Sequence, residues 1–242
     1  MNNGLYSAFL GMRSRQRTLD AQANNIANAS TGGFKAERMI YSSFEADRKG
    51  TNSTQLLVTG VTTTSSTDFS EGAIQQTGRS LDVAIEGDAF LQIQTPRGAR
   101  YTRAGNFNLN SNGQLVTKNG DLVVGERGPI TVPKGEITIG SDGSLAAGGK
   151  VFDKLKLARF DNPANALTKE GDSLFIANGA ENPQDNVNSR LTQGALESSN
   201  VSSLSEMVAM INNNREFDSM QKSMTLLMND LGRKISGEIG KF

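Results

Sequence analysis

Three carboxylates crowd one short stretch of the chain, Asp82, Glu86 and Asp88 in Leu81-Asp82-Val83-Ala84-Ile85-Glu86-Gly87-Asp88. On a strand Asp82 and Glu86 share a face while Gly87-Asp88 turns, which would bring the three close enough for acid–base work. The competing reading, solvent-facing strand and turn residues, is favoured by the rest of the sequence. There is no histidine and no cysteine, which removes imidazole bases, thiol nucleophiles, disulfides and the commonest ligands of zinc, copper and iron. A Ser–Lys dyad stays chemically open, but no spacing singles one out. Asp142-Gly143 lacks the Asp-x-Asp-x-Asp-Gly pattern of a calcium loop and reads as a hairpin turn. The expectation is a protein that is not an enzyme and takes no cofactor and no metal.

Lys plus Arg equals Asp plus Glu at 25 each, so the formal net charge of the 242 residues is zero. No long-range field recruits nucleic acid or an anionic membrane, and colloidal repulsion does little to oppose self-association. The opening Met1-Asn2-Asn3-Gly4-Leu5-Tyr6-Ser7-Ala8 lacks the basic segment and unbroken apolar run of a cleaved signal peptide. Apolar runs are only a few residues long, against the roughly 20 that span a bilayer, so direct membrane insertion is not expected.

The elements come from periodicity. Leu5, Phe9, Met12, Gln16, Leu19, Ala23 and Ile26 alternate spacings of four and three, a heptad stripe on a helix that the Asn28–Gly33 run ends. Residues from about Lys49 to Gly78 are rich in Thr, Ser and Gly and read as an extended, poorly packed linker or edge-strand arm. From Leu81 to about Ala177 the pattern shifts to period two. Turn signals recur at Gly87-Asp88, Asn112-Gly113, Asn119-Gly120, Asp142-Gly143 and Gly148-Gly149, the mark of antiparallel hairpins. Residues 178–202 are polar and turn-rich. Ser203-Leu204-Ser205-Glu206 then opens a helix with a capping-box pattern.

In that last helix Met207, Met210, Asn214, Phe217, Gln221, Met224, Met228, Leu231 and Ile235 hold a strict three-four alternation, with Ile211 and Leu227 beside it. The fold class predicted is α+β: N- and C-terminal heptad helices pairing as an antiparallel coiled coil, with a central antiparallel all-β domain. The boundaries expected are 1–34 for the first coiled-coil helix and its closing turn, 35–78 for the arm, 79–190 for the β-domain and 191–242 for the second coiled-coil helix. Ordering a residue's backbone costs about 1–2 kcal/mol, more than one seam returns to a long helix alone. Asn214 and Gln221 favour register over stability, and the methionines supply adaptable packing. Such ends should order fully only when neighbouring copies cover them.

The quoted blocks resemble one family. Asn24-Asn25-Ile26-Ala27-Asn28-Ala29-Ser30-Thr31-Gly32-Gly33-Phe34-Lys35 is similar to the N-terminal signature of the flagellar rod and hook axial proteins, which usually carry Val-Asn where Ala29-Ser30 stand. Gly72–Gly78, Leu81–Phe90, Tyr101-Thr102-Arg103-Ala104-Gly105-Asn106-Phe107 and Gly113–Thr117 resemble that family's central β-region, and Gln193–Val201 with Glu206-Met207-Val208 and Arg215-Glu216-Phe217 its C-terminal block. Within the family the short chain leans toward the proximal rod subunits, with the distal ones next. The resemblance implies an inner helical layer with the β-domain outside it, in a rod that transmits torque from motor to hook. It implies copies of the chain and other rod or hook proteins as partners, and export through the flagellar type III apparatus without a cleaved signal. The residues expected at the assembly interface are Leu5, Phe9, Met12, Leu19, Asn24, Asn25, Ile26, Asn28, Thr31, Gly33, Phe34, Met207, Met210, Ile211, Phe217, Met224, Leu227, Met228 and Leu231. The rival is a secreted β-domain binding or adhesion module on a helical stalk, which three tyrosines and no tryptophan make a poor fit.

Overall fold

The computed structural model describes residues 2–48, 56–184 and 189–239. The chain divides into two compact units: Met1–Ala27, Glu37–Ser66 and Ser202–Phe242 form the first, Asn28–Ala36 and Thr67–Val201 the second.

In the first unit, helix α1 (Asn2–Ala27) is followed by β1 (Glu37–Arg48) and β2 (Leu56–Thr67), which pair with each other. The stretch expected as an extended linker or edge-strand arm is, where described, largely strand; its residues 49–55 lie outside the described ones. The face that α1 buries is mostly polar, Ser14, Thr18, Gln22 and Asn25 with Ala21. The cause is its partner. Ser14 and Thr63 share a hydrogen bond between their hydroxyls, Thr18 Oγ1 lies 2.5 Å from the Tyr41 hydroxyl, and Arg17 donates to the Thr63 carbonyl. A Thr- and Ser-bearing sheet demands polar partners once covered.

The second unit opens with β3 (Ile74–Gln76) and β4 (Val83–Glu86). Then follow β5 (Ala89–Thr95), β6 (Gly98–Thr102), β7 (Asn108–Leu109), β8 (Leu115–Val116), β9 (Leu122–Gly125) and β10 (Gly128–Pro129). Next come β11 (Ile137–Ile139), β12 (Ser144–Ala147), β13 (Lys150–Lys154), β14 (Leu157–Arg159), the short helix α2 (Pro163–Ala166), β15 (Leu167–Gly171), β16 (Leu174–Ala177), β17 (Arg190–Gln193) and β18 (Ala195–Glu197). One sheet of nine strands runs β15-β16-β6-β5-β9-β8-β7, with β10 on β9 and β14 on β5. A second runs β11-β12-β13.

The turn signals at Asn112-Gly113, Asn119-Gly120, Asp142-Gly143 and Gly148-Gly149 each join strands that pair antiparallel. Gly87-Asp88 does not: β4 pairs with β17 and β5 with β6, so the turn is a corner between sheets. The polar, turn-rich run 178–202 supplies β17 and β18, which pair with β4 and β3. Two apolar groups fill the unit. Val83, Ile85, Leu91, Ile93, Phe107 and Val123 belong to the larger; Phe69, Phe90, Phe160, Phe175 and Tyr101 form the other, with ring centroids 5.1–6.1 Å apart.

The chain returns to the first unit as α3 (Ser203–Ile239). Its first-turn bond runs from Glu206 N to Ser202 O, and the Ser202 and Ser205 hydroxyls lie 3.0 Å apart. The cap is therefore Ser202, one residue before the expected Ser203. Against α1, α3 makes polar contacts: Arg15 with Asn213 at 2.9 Å and Glu216 at 2.7 Å, and Gln22 with Asn213 at 2.9 Å.

Candidate assembly surfaces and the buried junction

The three carboxylates of the opening cluster go to three separate partners. Asp82 is buried, accepts from Thr77 Oγ1 at 2.7 Å and faces Arg79 at 3.6 Å. Exposed Glu86 accepts from Thr192, and Asp88 takes the Arg159 guanidinium at 2.6 Å. Asp142 accepts from the Ser144 amide and hydroxyl, which hold its carboxyl below the usual range and fix the turn. Among the described residues no group of three acidic side chains is arranged to hold a metal ion.

The apolar candidates on the helices separate into two sets. Phe9 on α1 and Met207, Ile211, Leu227 and Met228 on α3 are exposed, with Leu227 at 58%. Met12, Leu19, Ile26, Met210, Phe217 and Met224 are half-buried. Leu5 and Leu231 lie on the helices, outside the residues whose side chains are described. The seam thus splits lengthwise: Met210, Phe217 and Met224 are partly covered, while Met207, Asn214, Gln221 and Met228 face out. Periodicity alone missed further exposed apolar side chains, Tyr6, Leu204, Val208, Met220 and Leu226 on the helices and Ile40 and Tyr41 on β1. All of these side chains belong to the first unit.

Of the signature residues, Asn24 and Thr31 are exposed and Asn28 half-buried. Asn25 is buried in the first unit, where its amide donates to Glu37 O and accepts from Glu37 N, both at 2.9 Å. That pairing ties the end of α1 to the start of β1 and holds the side chain within its own unit.

Gly33 and Phe34 are buried in the second unit, in a junction that sequence reading did not find. Gly33 has φ +66, and a Cβ there would sit 2.4 Å from Ala104 N. Gly72 and Gly105 are as tight, with an added Cβ 1.9 Å from Ser198 O and 1.8 Å from Val83 O. At three places, therefore, two stretches of backbone approach too closely for any side chain. Within the junction Lys35, Arg103 and Glu197 are each 1–2% exposed. Lys35 Nζ meets Glu197 Oε1 at 2.6 Å and also donates to Ser70 O; Arg103 stands 3.5 Å from the other carboxylate oxygen and 4.9 Å from the Phe90 ring centre. Burial pulls both cations below their usual pKa range, against the opposing charge of Glu197. Lys169 caps the Phe34 ring at 3.5 Å from its centroid. The signal available beforehand was the composition of the quoted blocks: Gly33-Phe34-Lys35, Arg103-Ala104-Gly105 and Glu197 each stand in a different one, and the fold brings them together.

Comparison with known proteins matches those blocks to three family models. Residues 5–35 match the model described as flagella basal body rod protein, residues 84–147 the flagellar hook protein FlgE/F/G D1 domain, and residues 192–227 the flagellar basal body rod FlgEFG protein C-terminal region. The chain is 38% identical to the flagellar basal-body rod protein FlgG of Bacillus subtilis, across 93% of this chain and 95% of that one. It is 34% identical to the rod protein FlgF of Caulobacter vibrioides, across 100% and 99% of the two, and 34% identical to FlgG of Borreliella burgdorferi, across 96% and 97%. None of these relatives supports the adhesion-module alternative. With both ends and the β region matched in order over nearly the full length, the chain belongs to the flagellar basal-body rod protein family.

Proposed function

We propose that the chain is a structural subunit of the flagellar basal-body rod that polymerises with copies of itself and with other rod or hook proteins through its two terminal helices. The observation that carries this reading is the set of apolar side chains that the first unit leaves uncovered, Phe9, Met207, Ile211, Leu227 and Met228 among them. Burying a side chain of this size is worth roughly 1.5–3 kcal/mol, so several per subunit give neighbouring copies a strong reason to pack. A heterologous contact that repeats without closing makes a helical filament, which suits a shaft. In this reading α1 and α3 pair as an antiparallel coiled coil. The contacts of Gln22 with Asn213 and of Arg15 with Glu216 run in opposite senses along the two helices, as that pairing requires. The exposed Asn24 and Thr31 add polar contacts to neighbouring subunits. The subunit performs no catalysis, reaches the periplasm-crossing rod by the flagellar type III route and transmits torque to the hook.

The test is complementation. In a flagellated host lacking its own copy, the wild-type chain is expected to restore basal bodies with a complete rod, and the double variant Ile211→Ser, Leu227→Ser to be made but left unassembled. Restoration by the double variant would overturn the helix-surface reading; failure of the wild-type chain to restore rods would overturn the rod assignment.

A further inference from the structure

Three stretches of backbone leave the second unit beside one another in sequence order, at Ala36, at Thr67 and at Val201. Next to those exits stands Asn200. Its Oδ1 accepts the amide of Ala36 at 2.7 Å, and its Nδ2 donates to the carbonyl of Asp68 at 2.9 Å and to Ser70 O and Oγ at 3.2 and 3.0 Å. Its own amide reaches Phe34 O at 3.4 Å, and Asp68 N closes the ring onto Ala36 O at 2.8 Å. A step further in, Glu197 repeats the arrangement, accepting from Lys35 Nζ and from Gly72 N. Residues 164 apart in the chain are thus joined by one amide.

We propose that Asn200 is a positioning residue that gathers the three exits into a collar, seated on the Lys35–Glu197 pair. Load arriving along any one exit is then shared by all three. Hydrogen bonds loaded together must break together, whereas separate exits would peel one at a time. The mechanical part of this inference rests on the rod reading; the collar does not.

The test uses the full chain with amide exchange followed residue by residue, in Asn200→Ala and in Asn200→Asp, which keeps the acceptor and loses the donor. Exchange at Ala36 and at Asp68 is expected to rise together by about tenfold, the equivalent of one lost hydrogen bond, with Ile93 and Val123 unchanged. Asp68 N does not touch Asn200, so its loosening reports the coupling. A rise at Ala36 alone, or an equal rise through the sheet, would overturn the collar. In cells lacking their own subunit, Asn200→Ala should assemble rods and fail to swim in viscous medium where the wild type swims. Swimming equal to wild type would overturn the load-sharing, while absence of rods with the wild-type chain would sink the rod reading and leave the exchange result standing.

Discussion

At the scale of single residues, the junction depends on the absence of side chains as much as on charge. Gly33 combines φ +66 with a backbone neighbour 2.4 Å from any added Cβ. A non-glycine residue there carries a left-handed cost of about 1–3 kcal/mol before the clash is relieved. Gly33→Ala is therefore expected to lower the denaturant midpoint of the second unit measurably, whereas Gly148→Ala, with positive φ but open space around it, should cost only the conformational part. Titration gives a second residue-scale prediction. Glu170 is held below its ordinary value of 4.5 first by the hydrogen bond from Arg100 and then by the charges of Arg100 and Arg97. A carboxyl depressed in the folded state contributes stability above 4.5 and loses it as pH falls from there through the folded value. Glu170→Gln should be less stable than wild type at neutral pH, with the two melting curves converging in acid; parallel curves at all pH would contradict the assignment. The residues of the junction were visible in the sequence only as members of the separate blocks that carry the family resemblance. That Lys35 meets Glu197, 162 residues on, follows from tertiary structure that no local pattern encodes.

At the scale of elements, the helices present one stripe to their own unit and another outward. The heptad reading identified the apolar stripe of α1 but not the polar one, Ser14, Thr18, Gln22 and Asn25, that the chain itself buries. Periodicity reports that a face exists and is silent on whether the cover comes from the same chain. The hairpins were legible for the opposite reason: Asn-Gly, Asp-Gly and Gly-Gly turns encode their geometry within a few residues. Strands β17 and β18 were not, because Arg190–Gln193 and Ala195–Glu197 have partners far back in the chain and little apolar alternation of their own. An element-scale prediction follows from the exposed stripe. In isolated chain, amides of α3 should exchange faster than those of β5 and β6, and assembly should reverse the order; protection of α3 equal to that of β5 before assembly would remove the case for helices completed by neighbours.

At the scale of the whole molecule, zero net charge and an apolar seam make association a matter of burial more than of field. Burial of apolar surface weakens on cooling, so sedimentation of assembled chain is expected to fall between room temperature and the cold and to change little with added salt. A strong salt dependence would point to charge pairing instead. The same pairing that hid β17 and β18 from the sequence also sets a clock. Strands β3 and β4, near the front of the second unit, have their sheet partners in its last residues, Ala195–Glu197 and Arg190–Gln193. A ribosome that has made the first two thirds of the chain holds two strands with open edges and a junction lacking its buried carboxylate, Glu197. Those two pairings and the junction are completed only in the final stretch of synthesis, when Arg190–Gln193 and Ala195–Glu197 have been made.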